Sequence, residues 1–238
     1  MRSDVCLSYA QTQTQLPRQA AVTVTGNPVR SSIARLAGER RTARLEEESP
    51  VLLVLGGSQG ARRLNDLLLH LAASQRELLL GWRVRHQTGA ADVMRVMAGY
   101  RDCGLDAEVQ PFFDDMADVY RGAGLVVCRA GGTTLAELAC AGLPAVLIPY
   151  PRAVADHQTH NARVFVRGGA AVLLPEGDVA PMAEALAGHV RRLRPETDAH
   201  HAMSHAMRSL AIPDAADTVA SLVLARAAHV DPSFSTER

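Results

Sequence analysis

The sequence contains no lysine: all 25 of its basic residues are arginine. Walker-type phosphate binding, kinase catalysis and Schiff-base chemistry each depend on a lysine ammonium, so all three are excluded. An excess of charge is also missing, because 25 acidic residues balance the arginines. Nothing drives the chain in bulk toward nucleic acid, and no nucleic-acid partner is expected. No apolar run approaches the roughly 18 to 20 residues of a membrane span, and MRSDVCLSYAQTQTQ has neither the basic start nor the apolar centre of a signal peptide. The cytoplasm is therefore the expected compartment. Cys6, Cys103, Cys128 and Cys140 form no C-x-x-C pair, and they read as thiols in a reducing compartment, two of them in the core, rather than as zinc ligands or disulfides.

What is present is an alternation. From about residue 20, short β-favouring runs (AVTVT, VLLVL, WRVRHQ, AEVQPF, LVVC, AVLIPY, AAVLLP) alternate with helical patterns over 60–72, 90–100, 115–122, 133–141 and 157–167. This pattern predicts an α/β fold, a doubly wound parallel sheet with helices on both faces. Runs that are apolar throughout, such as 51–55, suit central strands covered on both sides. Three further helical stretches, 179–192, 198–209 and 214–229, have no strands between them and are expected to pack back across the sheet. Segment 36–50 is charged and reads as a mobile connection, and DPSFSTER at the end reads as frayed.

Three loops that follow strands carry the chemistry, because ligands of open parallel sheets sit where strand ends lead into helix N-termini. In VLLVLGGSQGARRLND, the glycines let the backbone approach an anion, Ser58 adds a hydroxyl, and the helix start adds N–H groups and a positive dipole end. The same stretch also reads as a plain tight turn. It is neither G-x-G-x-x-G nor a Walker loop. In CRAGGTTLAELACAGLP, Thr134 and Glu137 match a capping box, which spends Glu137 on structure. If Thr133 caps instead, Glu137 is available to the hydroxyls of a vicinal diol. In YPRAVADHQTHNARVF, Asp156, His157, Gln158 and Asn161 crowd a helix start with more polar groups than a cap needs.

Other groups read as structural. His157 and His160 lack a third ligand, His201 and His205 read as surface, and Asp114-Asp115 reads as a helix cap. Asp-x-Asp, the usual carboxylate pair for a metal-bound sugar nucleotide, occurs nowhere. A pyrophosphate held here would be met by helix dipoles, N–H groups and arginine, with Arg30 in TGNPVR a candidate. No metal or other cofactor is expected.

Together, VTGNPVR, VLLVLGGSQGARRLN, RHQTG, PFFDDMADVY, CRAGGTTLAELACAGLPAVLIPYP and DHQTHNA resemble the C-terminal half of the MurG family, across about residues 20–175 and in the family's order. These bacterial transferases pass N-acetylglucosamine from UDP-GlcNAc to lipid I in peptidoglycan synthesis. The resemblance implies a GT-B half, metal-independent and inverting. It implies that Arg30 and Ser58 lie at the donor diphosphate and that Phe113 meets the uracil through its backbone. Gly132, Thr133, Thr134, Leu135, Ala136 and Glu137 would line the diphosphate and ribose, with Glu137 on the ribose hydroxyls, and Gln158 would reach the GlcNAc. Relatives tend to carry an acidic residue where this chain has Ala153-Val154-Ala155.

The family's acceptor half carries a G-T-G-G-H loop, which this sequence lacks. The resemblance therefore divides the chain into a remnant of a preceding domain (1–19), a donor-binding domain (20–212) and a C-terminal helix with its tail (213–238). No catalytic residue is expected in this chain. The general base and the lipid I site would lie on a missing or separate domain, and the chain alone would bind donor but turn over poorly. An alternative is a non-catalytic nucleotide-sugar-binding subunit, or another GT-B UDP-sugar transferase. The family also implies peripheral placement on the inner face of the plasma membrane.

Overall fold

The computed structural model describes residues 4–17, 20–39, 49–57 and 60–228. The connection expected over 36–50 lies mostly outside these residues, and the tail expected over 231–238 lies wholly outside them. Two short strands, β1 (Asp4–Leu7) and β2 (Ala21–Val24), pair in parallel as a separate two-stranded sheet. This corrects the expectation for AVTVT, which is not part of the main sheet. Strand β1 was not foreseen, since only Leu7 of its four residues is buried.

The main sheet has six parallel strands: β3 (Val51–Leu55), β4 (Arg83–Gln87), β5 (Ala107–Gln110), β6 (Ala123–Cys128), β7 (Ala145–Leu147) and β8 (Ala171–Leu173). Their spatial order is β5-β4-β3-β6-β7-β8. Strands β3 and β6 are central and buried along their whole length. Their side chains divide between two cores. Leu53 and Leu55 face one side, with Tyr120, Leu135 and Phe165; Leu52 and Val54 face the other, with Leu68, Tyr100 and Leu186. Each such apolar side chain contributes about 1.5–3 kcal/mol on burial, which is why runs without a polar face settle in the middle of the sheet.

The connecting helices are α1 (Ser31–Ala34), α2 (Arg62–Ser74), α3 (Arg76–Leu80), α4 (Val93–Asp102), α5 (Met116–Gly122), α6 (Gly132–Ala141) and α7 (His157–Arg167). In α2 the apolar residues Leu64, Leu67, Leu68 and Leu71 recur at helical spacing and bury one face. The expected start at residue 60 falls two residues early, and α3 was not expected. Helix α5 is capped by Asp115, whose Oδ1 accepts the Asp118 N–H at 3.1 Å, as the sequence suggested.

The closing helices are α8 (Val179–Arg192), α9 (Asp198–Ser209) and α10 (Ala215–Ala228). They do pack back across the sheet, α8 against α2 on one face and α9 against α6 on the other. Buried His200 of α9 shares a 2.8 Å hydrogen bond with the Gly124 carbonyl of β6. Helix α10 reaches the small sheet through an Arg226–Asp4 ion pair at 3.0 Å. Among the described residues no helix is long and apolar enough to cross a membrane.

Candidate functional site

The strand order reverses between β3 and β6, so the loops leaving these two strands diverge to opposite faces and leave a crevice at their carboxyl ends. Register places Leu55 beside Cys128, which sets Gly56 next to Arg129. A cleft of about 970 Å³ opens at this point. Four arginines line it, Arg30, Arg62, Arg63 and Arg129, against the carboxylates of Glu137 and Glu176. Such a lining favours an anion.

The first wall is the glycine turn after β3. Gly56, Gly57 and Gly60 all line the cleft, and the Gly60 N–H closes the turn on the Gly57 carbonyl at 3.0 Å. Helix α2 follows with no side-chain cap on its exposed amides. Ser58 lies outside the described residues.

The second wall is the start of α6. Its N-cap is Gly131, again without a side-chain cap, and the first amide to find a helical carbonyl is that of Leu135, on Gly131 O at 3.0 Å. The amides of Gly132, Thr133 and Thr134 therefore open the helix with no partner inside it. The capping box expected at Thr134 is not formed. The helix begins three residues earlier, with Gly131 as its N-cap, which carries Glu137 into its second turn, and there Glu137 Oε2 accepts the Tyr120 hydroxyl at 2.8 Å. Burial lifts the Glu137 carboxyl above its ordinary range, while the Tyr120 hydrogen bond and the nearby Arg30 charge pull it back. Thr133, Thr134 and Glu137 line the cleft with Arg30. Leu135 turns into the core, and neither Gly132 nor Ala136 presents a side to the cleft.

Phe113 is buried, with the Arg85 guanidinium 5.0 Å from its ring centroid, and the exposed aromatics at the cleft are its neighbour Phe112 and Tyr150. The Phe113 N–H is taken by Gln87 Oε1 at 3.3 Å. Gln158 lines the cleft, and its Oε1 accepts two backbone amides, Ala130 at 3.2 Å and Tyr150 at 3.0 Å. Asn161 adds a 3.2 Å bond to the Ala130 carbonyl. The excess of polar groups in DHQTHNA thus ties the loops after β6 and β7 together. Two residues before His157, Ala155 and Asp156, hold left-handed backbone with φ of 51° and 53°. His157 and His160 are exposed, and each shares its Nδ1 with a local carbonyl. No group of three or more metal-binding side chains occurs among the described residues.

Arg129, Glu176 and Tyr120 line the cleft and escaped the sequence reading. Arg129 pairs with Glu176 at 2.6 Å and also donates to the carbonyls of Ile148 and Pro149. Tyr120 became visible only through its contact with Glu137. Arg129 had a signal: it directly follows a strand and precedes Gly-Gly, the position where the fold collects ligands.

Fold and cleft together define a Rossmann-like α/β domain with an arginine-lined cleft at the switch point of its sheet. The chain belongs to glycosyltransferase family 28: the model for the C-terminal domain of that family matches residues 51–219. It is 44% identical over 216 residues to the UDP-N-acetylglucosamine--N-acetylmuramyl-(pentapeptide) pyrophosphoryl-undecaprenol N-acetylglucosamine transferase of Syntrophotalea carbinolica, covering 90% of this chain and 58% of the relative. The protein of that name from Nitratidesulfovibrio vulgaris is 48% identical over 177 residues, 74% of this chain and 47% of the relative. Among solved structures, Acinetobacter baumannii MurG superposes with a TM-score of 0.69 at 30% identity, over 92% of this chain and 59% of that one. The architecture is one half of a GT-B glycosyltransferase. The chain spans about half the length of these relatives.

Proposed function

We propose that this chain is the donor-binding part of a UDP-GlcNAc-dependent transferase that passes GlcNAc to lipid I in peptidoglycan synthesis. The observation that carries the reading is the convergence of two uncapped helix starts, α2 and α6, with Arg30 on one cleft at the switch point of the sheet. The donor diphosphate would lie between the glycine turn, with Ser58 at its edge, and the amides of Gly132 to Thr134. Glu137 would accept the ribose hydroxyls, the backbone at Phe113 would face the uracil, and Gln158 would reach the sugar. UDP gains negative charge as it leaves, and preplaced N–H groups and arginine would stabilise that charge without reorganising. No step needs a metal. The acceptor and the base that deprotonates it would be supplied from outside the matched region, at the inner face of the membrane.

Calorimetric titration with UDP, UDP-GlcNAc and ADP tests the reading, repeated with Glu137→Ala. UDP and UDP-GlcNAc should bind and ADP should bind more weakly. Glu137→Ala should lose about 1.5–3 kcal/mol, the value of hydrogen bonds to a charged acceptor. Equal affinity for ADP and UDP, or an unaffected Glu137→Ala, would sink the assignment.

A further inference from the structure

We propose that Tyr120 is a positioning residue for nucleotide recognition: its phenol holds one oxygen of Glu137 so that the carboxylate meets the ribose diol in a fixed orientation. The proposal rests on the reading that Glu137 faces the ribose.

Tyr120 sits on α5 and is fully buried in the core on the α6 side of the sheet, with its hydroxyl 2.8 Å from Glu137 Oε2. Both residues border the cleft. Among the described residues this is the hydrogen bond the carboxylate makes, and the phenol donates it, since an ionised carboxylate has no proton to give. One donor occupies one of about four lone-pair positions on a carboxylate, so acceptor capacity remains for two hydroxyls. A glutamate has several rotatable bonds, and their freedom is ordinarily lost when a ligand binds. Here it is lost on folding, because a phenol packed in the core cannot follow a wandering carboxylate.

The same contact fixes distances. Glu137 lies on α6, whose first-turn amides form the second wall, and Tyr120 anchors α6 to α5. The acceptor for the ribose and the donors for the phosphates are thereby held on one rigid helix. Tyr120 borders the cleft with almost no exposed surface, and its one polar atom is spent on Glu137. Its effect passes through Glu137.

The full chain and its Tyr120→Phe, Glu137→Ala and Glu137→Gln variants are titrated with UDP and with 2′,3′-dideoxy-UDP, and their folding is checked by thermal unfolding. The unaltered chain prefers UDP, and Glu137→Ala abolishes the preference. Tyr120→Phe weakens UDP about tenfold while the dideoxy compound stays within about twofold. Glu137→Gln keeps part of the preference, because Tyr120 still claims the oxygen and the amide NH2 donates to the hydroxyl oxygens of the diol; Tyr120→Leu, titrated in the same way, decides the matter should Tyr120→Phe not fold. Equal weakening of both ligands by Tyr120→Phe marks a merely structural tyrosine and overturns the proposal, as does an unchanged preference in Tyr120→Leu. Either result with a collapsed preference in Glu137→Ala leaves the ribose reading standing. An unchanged preference in Glu137→Ala overturns both.

Discussion

The carbonyl oxygen of Thr88 stands 2.5 Å from the place a β-carbon on Gly60 would occupy, and Gly60 itself holds φ at +73°. The glycine turn is thus pressed against the end of β4, and any side chain would have to push backbone away. Gly60→Ala should cost about 2–3 kcal/mol, from left-handed strain and overpacking together. Urea unfolding measures the loss, and UDP titration should show weaker binding in parallel. A variant with unaltered stability would mean that the turn is free to move.

Behind that turn lies a buried polar chain. His86, fully enclosed, bonds Tyr100 OH through Nδ1 at 2.9 Å and Asn65 Oδ1 through Nε2 at 3.0 Å, while Asn65 Nδ2 reaches the Thr88 carbonyl and Asp92. Burial holds the imidazole pKa down to about 3. The unfolded chain binds a proton at His86 as pH falls through about 6.5, whereas the folded chain does not, so stability should fall with acidification between these values. The slope from this one group reaches at most about 1.4 kcal/mol per pH unit. His189, also lowered by burial and by Arg192, acts in the same direction, and Asp92, held at about 2 chiefly by Arg95, contributes only below the ordinary carboxylate range. Thermal midpoints measured from pH 7 to pH 4.5 should therefore decline more steeply in the unaltered chain than in His86→Gln. Parallel lines would show that the histidine titrates normally.

Arg30 borders the cleft and is exposed, so its charge is partly screened by water. Arg30→Gln should weaken UDP about tenfold, roughly 1.4 kcal/mol, and leave uridine unaffected. The difference should shrink as salt rises. Equal effects on UDP and uridine would remove Arg30 from the diphosphate.

Asp115 caps α5, the helix that carries Tyr120. Asp115→Ala should cost about 1 kcal/mol of stability, readable by denaturant unfolding, with unaltered m-value. A loss well below that would show that the cap bond competes poorly with water.

The main sheet was legible because its strands have only one way to be satisfied: runs such as Val51–Leu55 offer no polar face, and burial on both sides is their sole outcome. Helices α7, α8 and α9 lie where the sequence reading put them because their apolar periodicity is strong, and α9 is also capped by Thr197. Strand β1 was not legible, since its pairing with β2 depends on distant backbone rather than on its own four side chains. At the site, position was readable and partnership was not. The rule that ligands gather at strand ends located both glycine turns and Glu137. The capping box misread Glu137 because local spacing is blind to Tyr120, 17 residues away, which wins the carboxylate once α5 and α6 pack. Glu176 was missed for the same reason, as its tie to Arg129 spans two further strands.

Gln158 spends its one amide oxygen on two loops at once, those beginning at Ala130 and Tyr150. What it has left to show a guest is the NH2 end alone. In the proposed donor site it would act as a polarity filter, open to a carbonyl or an ether oxygen and with nothing to offer a group that comes only with a proton to give. Because that oxygen is the knot between the two loops, a ligand that turned the amide round to suit itself would have to loosen both of them.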